Sequence, residues 1–376
     1  MFGVHGAQWS LLYGASLGVV HALGLLQRGD DMLRFPVIQQ RRVFRVKKEA
    51  PLAFGPAVSE ALAAAALALS ARAALPGDWG SLWRPLVPAL LGGVLCAFCW
   101  AVGSRILNIV FTERLRFASP GDADPNAALL KALQDSKDPV AQAAALQDLG
   151  ALAAGGKAEA WRRRAIFDDD TGAAWQAPVR VCLDEVTAVV EAVAGVLPQR
   201  APASSGASTA PAAAPRWNAA PVAARGLGSA SRAHDAAAWA LRARCWRGTT
   251  AMRALGALAA AARAEDRYGV AQLGSPGLGE AAGALASAAL ALQAYAKVAP
   301  PPRSGARACT AETGLGAVVA ASGAALLAAA LGAVHALAAV YGADLVPLIS
   351  ACPAAPPYGS AAECAALAAR CLAVKE

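Results

Sequence analysis

The chain has 376 residues, enough for two domains, and 57% of them are hydrophobic while only 16% are charged. Charged residues make up about a quarter of a typical soluble domain, so the composition argues against a chain that is soluble throughout. The net charge of +8 could indicate nucleic-acid binding, but the basic residues concentrate beside apolar runs, which is typical of membrane flanks. The eight cysteines include one close pair, Cys96 and Cys99, which lies inside an apolar run and does not indicate a metal or disulfide site.

Three apolar segments near the start of the chain are long enough to cross a membrane. They cover about residues 7–26, 52–75 and 85–104, and each can span a hydrocarbon core of about 30 Å as a helix. The second segment is rich in alanine and contains Glu60, which we interpret as a residue at a helix contact because no partner is visible nearby in the sequence. His21 is expected at the membrane interface, since it comes about one helical turn before the end of the first segment.

Residues 27–50, between the first two predicted spans, form a strongly basic loop with interleaved apolar residues. One interpretation is a nucleic-acid site, since basic patches with aromatic residues bind single strands. The position between two spans favours a membrane-surface loop, with bases directed toward lipid phosphates and apolar side chains dipping into the bilayer. The predicted membrane-surface residues are Arg34, Arg41, Arg42, Arg45, Lys47 and Lys48.

The distribution of lysine and arginine predicts the topology. The basic loop and the segment from Arg105 onward are positively charged, whereas the turn at residues 76–84 is not. The positive-inside rule therefore places both basic flanks in the cytosol and the turn in the lumen. The N-terminus then lies in the lumen, and we expect a missing N-terminal portion with an odd number of further spans to account for this.

Residues 112–376 show the pattern of a water-compatible α-helical domain, with almost no strand pattern. A linker rich in Ala, Pro and Ser at about residues 198–216 is predicted to be disordered. The predicted helices are Asp138 to Ala154, Lys157 to Phe167, Trp175 to Leu197, His234 to Ala264, Pro276 to Lys297, Leu315 to Tyr341 and Ala361 to Lys375. The predicted fold class is therefore all-α: about three membrane spans in residues 1–111, followed by a helical domain that faces the cytosol.

Two features of this second domain leave a choice of interpretation. Asp168, Asp169 and Asp170 could bind a metal, but a turn that caps the following helix is the expected role. Residues 315–334 carry no charge and are almost apolar enough for a fourth span. We predict a packed helix instead, because no basic flank follows its C-terminal end.

Four stretches of the chain are distinctive in their order and spacing. They are R-F-P-V-I-Q-Q-R-R-V-F-R-V-K at Arg34 to Lys47, A-L-Q-D-L-G-A-L from Ala145, R-R-R-A-I-F-D followed by W-Q-A-P-V-R-V-C-L from Trp175, and E-D-R-Y-G-V-A-Q from Glu265. Together they resemble the nuclear-division-cycle transmembrane nucleoporin family. The resemblance covers most of the chain from Met1 to about Lys297. The family has six spans, so this chain resembles a version that lacks the first membrane spans.

The resemblance implies a structural anchor of the nuclear pore complex in the nuclear envelope, with a role in pore assembly and, in some lineages, in spindle-pole insertion. The implied partners are the bilayer and other nucleoporins, of the membrane ring and inner scaffold, including a propeller of the Aladin type. No cofactor and no direct nucleic-acid contact are implied.

The fourth stretch forms a family-like helix junction at Glu265, Asp266, Arg267, Tyr268 and Gly269. Asp266 and Arg267 can form an ion pair or cap the adjacent helix ends, and Gly269 permits a tight turn. An architectural role is one interpretation, and direct contact with a partner is the other.

Two other function classes remain open. In a multi-pass transporter or channel subunit, His21, Glu60 and Arg72 would line the pathway. A membrane-bound enzyme is disfavoured, because none of the four histidines falls in a nucleophile, metal or phosphate motif.

Overall fold

The computed structural model describes residues 4–28, 30, 40–73, 83–118, 124–135, 137–156, 159–169, 171–197, 227–298 and 315–373. These ranges are helical and contain no strand, which confirms the all-α prediction. The chain forms two compact units. The first unit contains residues 1–116 and 305–318, and the second contains residues 117–304 and 319–376.

The described part of the first unit contains four principal helices. They are α1 (Val4–Arg28), α2 (Arg42–Glu49), α3 (Phe54–Ala73) and α4 (Trp83–Phe111), with a 3₁₀ turn at Pro51–Ala53 before α3. Helices α1, α3 and α4 coincide with the three predicted spans. Helix α2 was not predicted, because we expected residues 27–50 to form a loop.

Small residues allow the three long helices of the first unit to approach closely. Trp9 and Tyr13 of α1 are buried against the alanine face of α3, and the Tyr13 hydroxyl donates to the carbonyl of Ala61 at 3.4 Å. On α4, a Cβ at Gly93 would collide with the Tyr13 ring. Close packing of small residues is typical of helices in membranes, where no hydrophobic effect drives helices together.

The outward faces of these three helices are apolar. On α4, for example, Leu91 is 69% exposed. The other large exposed apolar side chains on α1, α3 and α4 are Leu11, Val19, Leu23, Leu26, Phe54, Leu62, Leu67, Val87, Leu95, Trp100, Ile106, Leu107, Val110 and Phe111. A surface of this kind is stable against lipid rather than water.

The second unit is built from shorter and more numerous helices. They are α5 (Ala127–Gln134), α6 (Pro139–Ala154), α7 (Ala160–Phe167), α8 (Ala173–Ala194), α9 (Leu227–Glu265), α10 (Val270–Leu273), α11 (Leu278–Val298), α12 (Leu315–Tyr341, from residue 319 onward), α13 (Leu345–Ser350) and α14 (Ala361–Ala373). A 3₁₀ turn at Gly342–Asp344 precedes α13. The short helices α5, α10 and α13 were not predicted. The linker at about 198–216 lies outside the described residues.

Helix α8 lies at the centre of this unit, packed against α9 and α11. One apolar face of α8 is buried, with Val179, Cys182 and Val186 fully enclosed. Burial raises the pKa of the Cys182 thiol to about 12, so this cysteine remains a neutral core residue. The core of the second unit is therefore conventional, with large apolar side chains directed inward.

Among the described residues, five helices are long and apolar enough to cross a membrane: α1, α3, α4, α11 and α12. Helix α11 is nearly enclosed by its unit, since residues 281–289 are all buried. Helix α12 directs Leu326, Val334 and Leu337 into the core, and Tyr341 donates to the carbonyl of Ala259 at 2.8 Å. Among the α12 side chains that the structure describes, at residues 321–341, Val340 is the one large apolar side chain that is exposed. This packing supports our prediction that residues 315–334 do not form a span, which stays a prediction.

Candidate membrane and partner surfaces

Arg45 fixes α2 against the C-terminal end of α4. Its side chain is buried, and its guanidinium donates to the carbonyl of Ile109 at 3.3 Å and to the Thr112 hydroxyl at 2.9 Å. The last carbonyls of a helix lack intrahelical partners, so a cation there is favourable. We predicted that Arg45 faces lipid phosphates. The structure corrects this assignment, because the side chain is enclosed by protein.

Two further arginines hold α2 in the same position. Arg42 pairs with Glu113, just beyond the end of α4. From the other helix, Arg105 donates to the carbonyl of Glu49 at 2.7 Å, at the C-terminal end of α2. Together with the Arg45 contacts, these interactions fix both ends of α2 beside the C-terminal part of α4.

The remaining face of α2 is amphipathic and open. Arg41, Lys47 and Lys48 are exposed, while Val43 and Phe44 of the same helix are 75% and 64% exposed. Basic residues beside unburied apolar residues are typical of a helix that lies in a membrane interface. Arg34, the other predicted surface residue, lies outside the described residues.

A buried polar cluster joins α1 to α3. The Nδ1 atom of His21 lies 2.7 Å from Oε2 of Glu60, and the Arg28 guanidinium lies 2.7 Å from Oε1 of the same carboxylate. Arg28 also bonds Asp30 at 3.0 Å, and the Trp100 ring of α4 lies 5.1 Å from the His21 ring. The position of Glu60 at a helix contact agrees with our interpretation.

We expected no partner for Glu60, which was wrong, because its partners come from α1, far away in sequence. His21 is buried inside the unit, and α1 continues to Arg28. Its position at the membrane interface stays a prediction. Arg72, the third residue of the transporter interpretation, lies in the last turn of α3 and outside this cluster.

The helix junction between α9 and α10 is held by its acidic residues. The Asp266 carboxylate accepts hydrogen bonds from the backbone N–H groups of Val270 at 2.9 Å and Ala271 at 2.8 Å. Gly269 has φ +72°, a conformation that side chains disfavour. The Asp266 side chain therefore caps α10, as the sequence suggested.

Glu265 ties the junction to α7. Both its carboxylate oxygens accept from Arg163, at 2.5 Å and 2.8 Å. This bidentate hydrogen bonding raises the pKa of Arg163, which stays charged. Arg163 also donates to the carbonyl of Gly155 at 2.5 Å, so one guanidinium connects α6, α7 and α9.

A second ion pair, fully buried, joins α6 to α7. Arg162 lies 2.9 Å from Asp148, and neither side chain is accessible to solvent. Asp148 also accepts from the backbone N–H of Phe117 at 3.0 Å. Buried charges are tolerated in a protein interior only when they are paired.

The family-like stretches of the second unit thus contact one another. Asp148 of the second stretch pairs with Arg162 of the third, and Arg163 pairs with Glu265 of the fourth. The indole N–H of Trp175 donates to the carbonyl of Pro276 at 3.0 Å, which joins α8 to the segment before α11. The resemblance identified these stretches, but their contacts join residues that are distant in sequence and could not be predicted from it.

Arg267 and Tyr268 do not take part in this network. Both are exposed, and the Arg267 side chain forms no hydrogen bond or ion pair with the described residues. The junction therefore contains an inward group of residues, which fixes its shape, and an outward group, which the fold does not require.

The acidic turn before α8 behaves as a cap. Asp169 accepts from the backbone N–H of Ala174 at 2.8 Å and from the Thr171 backbone and hydroxyl. These bonds, chiefly that of Ala174, lower the pKa of Asp169. Asp170 is outside the described residues, and within the described ranges no group of three metal-ligating side chains is assembled.

The fold and these surfaces define an all-helical protein of two compact units, with several helices long and apolar enough to span a membrane. The profile of one family, Nucleoporin protein Ndc1-Nup, matches residues 9–226, more than half of the chain. The chain belongs to this family, which confirms the sequence resemblance. No curated protein matches the chain. The fourth stretch, from Glu265, lies beyond the matched range.

Membership identifies the chain as a nucleoporin. The family is structural rather than enzymatic, and it implies a location at the nuclear pore membrane with other pore components as partners. The apolar helices of the first unit are compatible with a multi-pass membrane protein.

Proposed function

We propose that this nucleoporin is a structural anchor that holds the nuclear pore complex in the nuclear envelope. The observation that carries the proposal is the first unit, whose long helices direct large apolar side chains outward and small residues inward. Such a bundle is stable when lipid surrounds it. The anchor contributes to pore assembly and, in some lineages, to spindle-pole insertion, and it acts without catalysis or a cofactor.

In this proposal α2 is the contact with the membrane surface. The arginine contacts hold α2 at the end of α4, where a spanning helix leaves the hydrocarbon core. Phe44 and Val43 then enter the interface, and Arg41, Lys47 and Lys48 face lipid phosphates. Each basic side chain near an anionic surface contributes about 1 kcal/mol to binding.

The second unit is the proposed contact with other nucleoporins of the membrane ring and inner scaffold, including an Aladin-like propeller. Its packed α11 and α12 and its buried ion pairs support a rigid platform rather than further spans. In the proposed topology α2 and the second unit face the cytosol or pore, and nucleic acid is not bound directly.

Expression of the tagged full chain tests the anchor. We expect a nuclear-rim signal that coincides with pore complexes and resists alkaline extraction. The variant Val43→Ser, Phe44→Ser, Lys47→Glu, Lys48→Glu removes the open face of α2 without touching Arg42 or Arg45. It should weaken rim retention.

The matched control alters two exposed apolar residues and two exposed lysines in the second unit: Val140→Ser, Val298→Ser, Lys131→Glu and Lys137→Glu. This control should keep the rim signal. A wild-type chain that is soluble, or that spreads through all membranes without pore complexes, would contradict the anchor. Equal retention of the α2 variant and the control would contradict the role of α2.

A further inference from the structure

The loop between α9 and α11 has a rigid base. Asp266 caps α10, Ala271 is fully buried, and Glu265 is fixed by Arg163. At the other end of the loop, the carbonyl of Pro276 accepts from the buried Trp175 indole. Side chains that point away from this base are therefore held in a defined arrangement before any partner arrives.

Two large apolar side chains project from that base. Leu273 is 87% exposed and Tyr268 is 65% exposed, whereas the next most exposed large apolar residue described in the second unit, Trp161, is 47% exposed. Tyr268 directly precedes Gly269 in the chain, and a Cβ at Gly269 would lie 3.5 Å from Leu273 Cδ1, so Leu273 lies beside the residue that follows Tyr268. The two most exposed apolar residues of a well-packed unit thus share one loop, and neither contributes to the core.

The charge next to these residues is positive. Arg267 is exposed and adjoins Tyr268 in the chain. Arg180 of α8, also exposed, donates to the carbonyl of Ser275 at 3.4 Å, just beyond Leu273. The neighbouring carboxylates of Glu265 and Asp266 are already engaged by Arg163 and by backbone N–H groups. The carboxylates of the junction therefore do not occupy the guanidinium groups of Arg267 and Arg180, which remain accessible to an acidic group of a partner.

We propose that Arg267, Tyr268 and Leu273, with Arg180 at their edge, form a docking patch for an acidic protein segment that carries an apolar anchor residue. We call this set the junction patch. Arginine and tyrosine are the residue types that most often dominate protein interfaces, and guanidinium groups bind carboxylates in a bidentate manner. The junction patch specifies the kind of partner segment within the proposed anchor function, and it rests on that function.

A protein segment fits the junction patch better than a lipid surface does. The patch carries arginines, whose planar fork favours carboxylates, rather than the lysines found on α2. It also presents two isolated apolar side chains, whereas the outward faces of α1, α3 and α4 are apolar over many turns. Proteins that recognise a short peptide segment typically do so through a small contact with a few anchor side chains.

Selection of peptides on the full chain tests the proposal. The chain is placed in phosphatidylcholine nanodiscs and panned with displayed random short peptides, with empty nanodiscs as the subtraction. Synthetic copies of the enriched peptides are then measured by fluorescence anisotropy. We expect them to carry Asp or Glu beside Leu, Phe or Trp, and to lose affinity when their acids become amides.

Two variants locate the binding. Tyr268→Ser with Leu273→Ser should weaken the enriched peptides by at least about tenfold, and so should Arg267→Glu alone. The matched controls, Trp161→Ser with Val140→Ser, and Arg253→Glu, alter exposed residues of the same unit and should bind as the wild type does. Because the altered side chains are exposed, the melting temperature should not change in any of these variants. If the variant with Tyr268→Ser and Leu273→Ser misfolds, Arg267→Glu alone still tests the junction patch.

Enriched peptides that are not acidic, or that bind the patch variants as tightly as the controls, would overturn the proposal. A lipid contact would replace the proposal if phosphatidylserine vesicles bound the patch variants tenfold more weakly than the wild type and no peptide depended on the patch for binding. These results are distinct from failure of the anchor itself, which nuclear-rim localisation reports.

Discussion

The two units of this nucleoporin distribute their apolar residues in opposite ways. In the first unit the interior consists mostly of alanines, with Trp9, Tyr13 and a polar cluster, and many large apolar side chains such as Leu91 lie outside. In the second unit the large apolar side chains lie inside, and the outer face of α12 consists mainly of alanine. Total hydropathy does not separate α12 from α4, but the direction of the large side chains does. That direction is the physical basis of our proposal that lipid surrounds the first unit and water surrounds the second.

The largest expected effect concerns the buried ion pair of the second unit. Arg162→Ala removes the guanidinium that lies 2.9 Å from Asp148, in an ion pair whose two side chains are both enclosed by protein. We expect the free energy of unfolding to fall by about 3–5 kcal/mol. Chemical denaturation of the full chain, followed by helical circular dichroism, measures this change.

The control for this experiment is Arg164→Ala, two residues away on the same helix and exposed. It should change stability by less than about 0.5 kcal/mol. If the two variants had the same free energy of unfolding, the buried ion pair between α6 and α7 would not stabilise the second unit. The contrast between the interiors of the two units would then be weakened.

A smaller effect is expected for the polar cluster in the first unit. Glu60→Ala removes the group that both His21 and Arg28 contact, and interhelical polar contacts in membranes contribute about 1–2 kcal/mol. Thermal unfolding in nanodiscs should show this loss. Leu62→Ala, on the lipid-facing side of the same helix, should have less effect. A larger loss for Leu62→Ala would reverse the assignment of inner and outer faces.

The helix junction provides a third comparison, within one loop. Asp266→Ala removes the cap of α10 and should cost about 1 kcal/mol, as loss of such caps does. Arg267→Ala, next in the chain, removes an exposed side chain and should leave the melting temperature intact. If Arg267→Ala unfolded the second unit, the outward group would be architectural as well, and the junction patch would lose its basis.

The smallest effect concerns pH. Hydrogen bonds lower the pKa of Asp169 in the folded state, so its carboxylate stabilises the protein above the usual aspartate pKa of about 3.9. That contribution is lost as the pH falls through the lowered folded pKa. Asp169→Asn should therefore be less stable than the wild type at pH 7, by less than about 1 kcal/mol, and the difference should disappear in acid. A difference that grows as the pH falls would contradict this role.

The sequence predicted the long helices well because each is specified by its own residues. The periodicity of α8 and the apolar run of α4 are local signals. The cap at Asp138 is local too, and its carboxylate accepts from the N–H groups of Val140 and Ala141. Helices α5 and α13 were missed because they have only 8 and 6 residues, too short for periodicity to distinguish from a loop.

The candidate surfaces were predictable only in part. The basic character of α2 follows from composition, but the burial of Arg45 depends on carbonyls at the end of α4. The partners of Glu60 and Glu265 come from helices distant in sequence. Such pairs are fixed by tertiary packing, and a single sequence contains no signal for them.

Glycosylation mapping tests the central claim, that the first unit spans the membrane and the second does not, most directly. Single acceptor sites are placed at Trp79, in the basic loop at Gln40, and after Glu376, and each is expressed in membranes with an active glycosylation system. The proposed topology predicts modification at Trp79 alone. Modification after Glu376, with Gln40 unmodified, would show that a helix of the second unit crosses the membrane and would contradict the account.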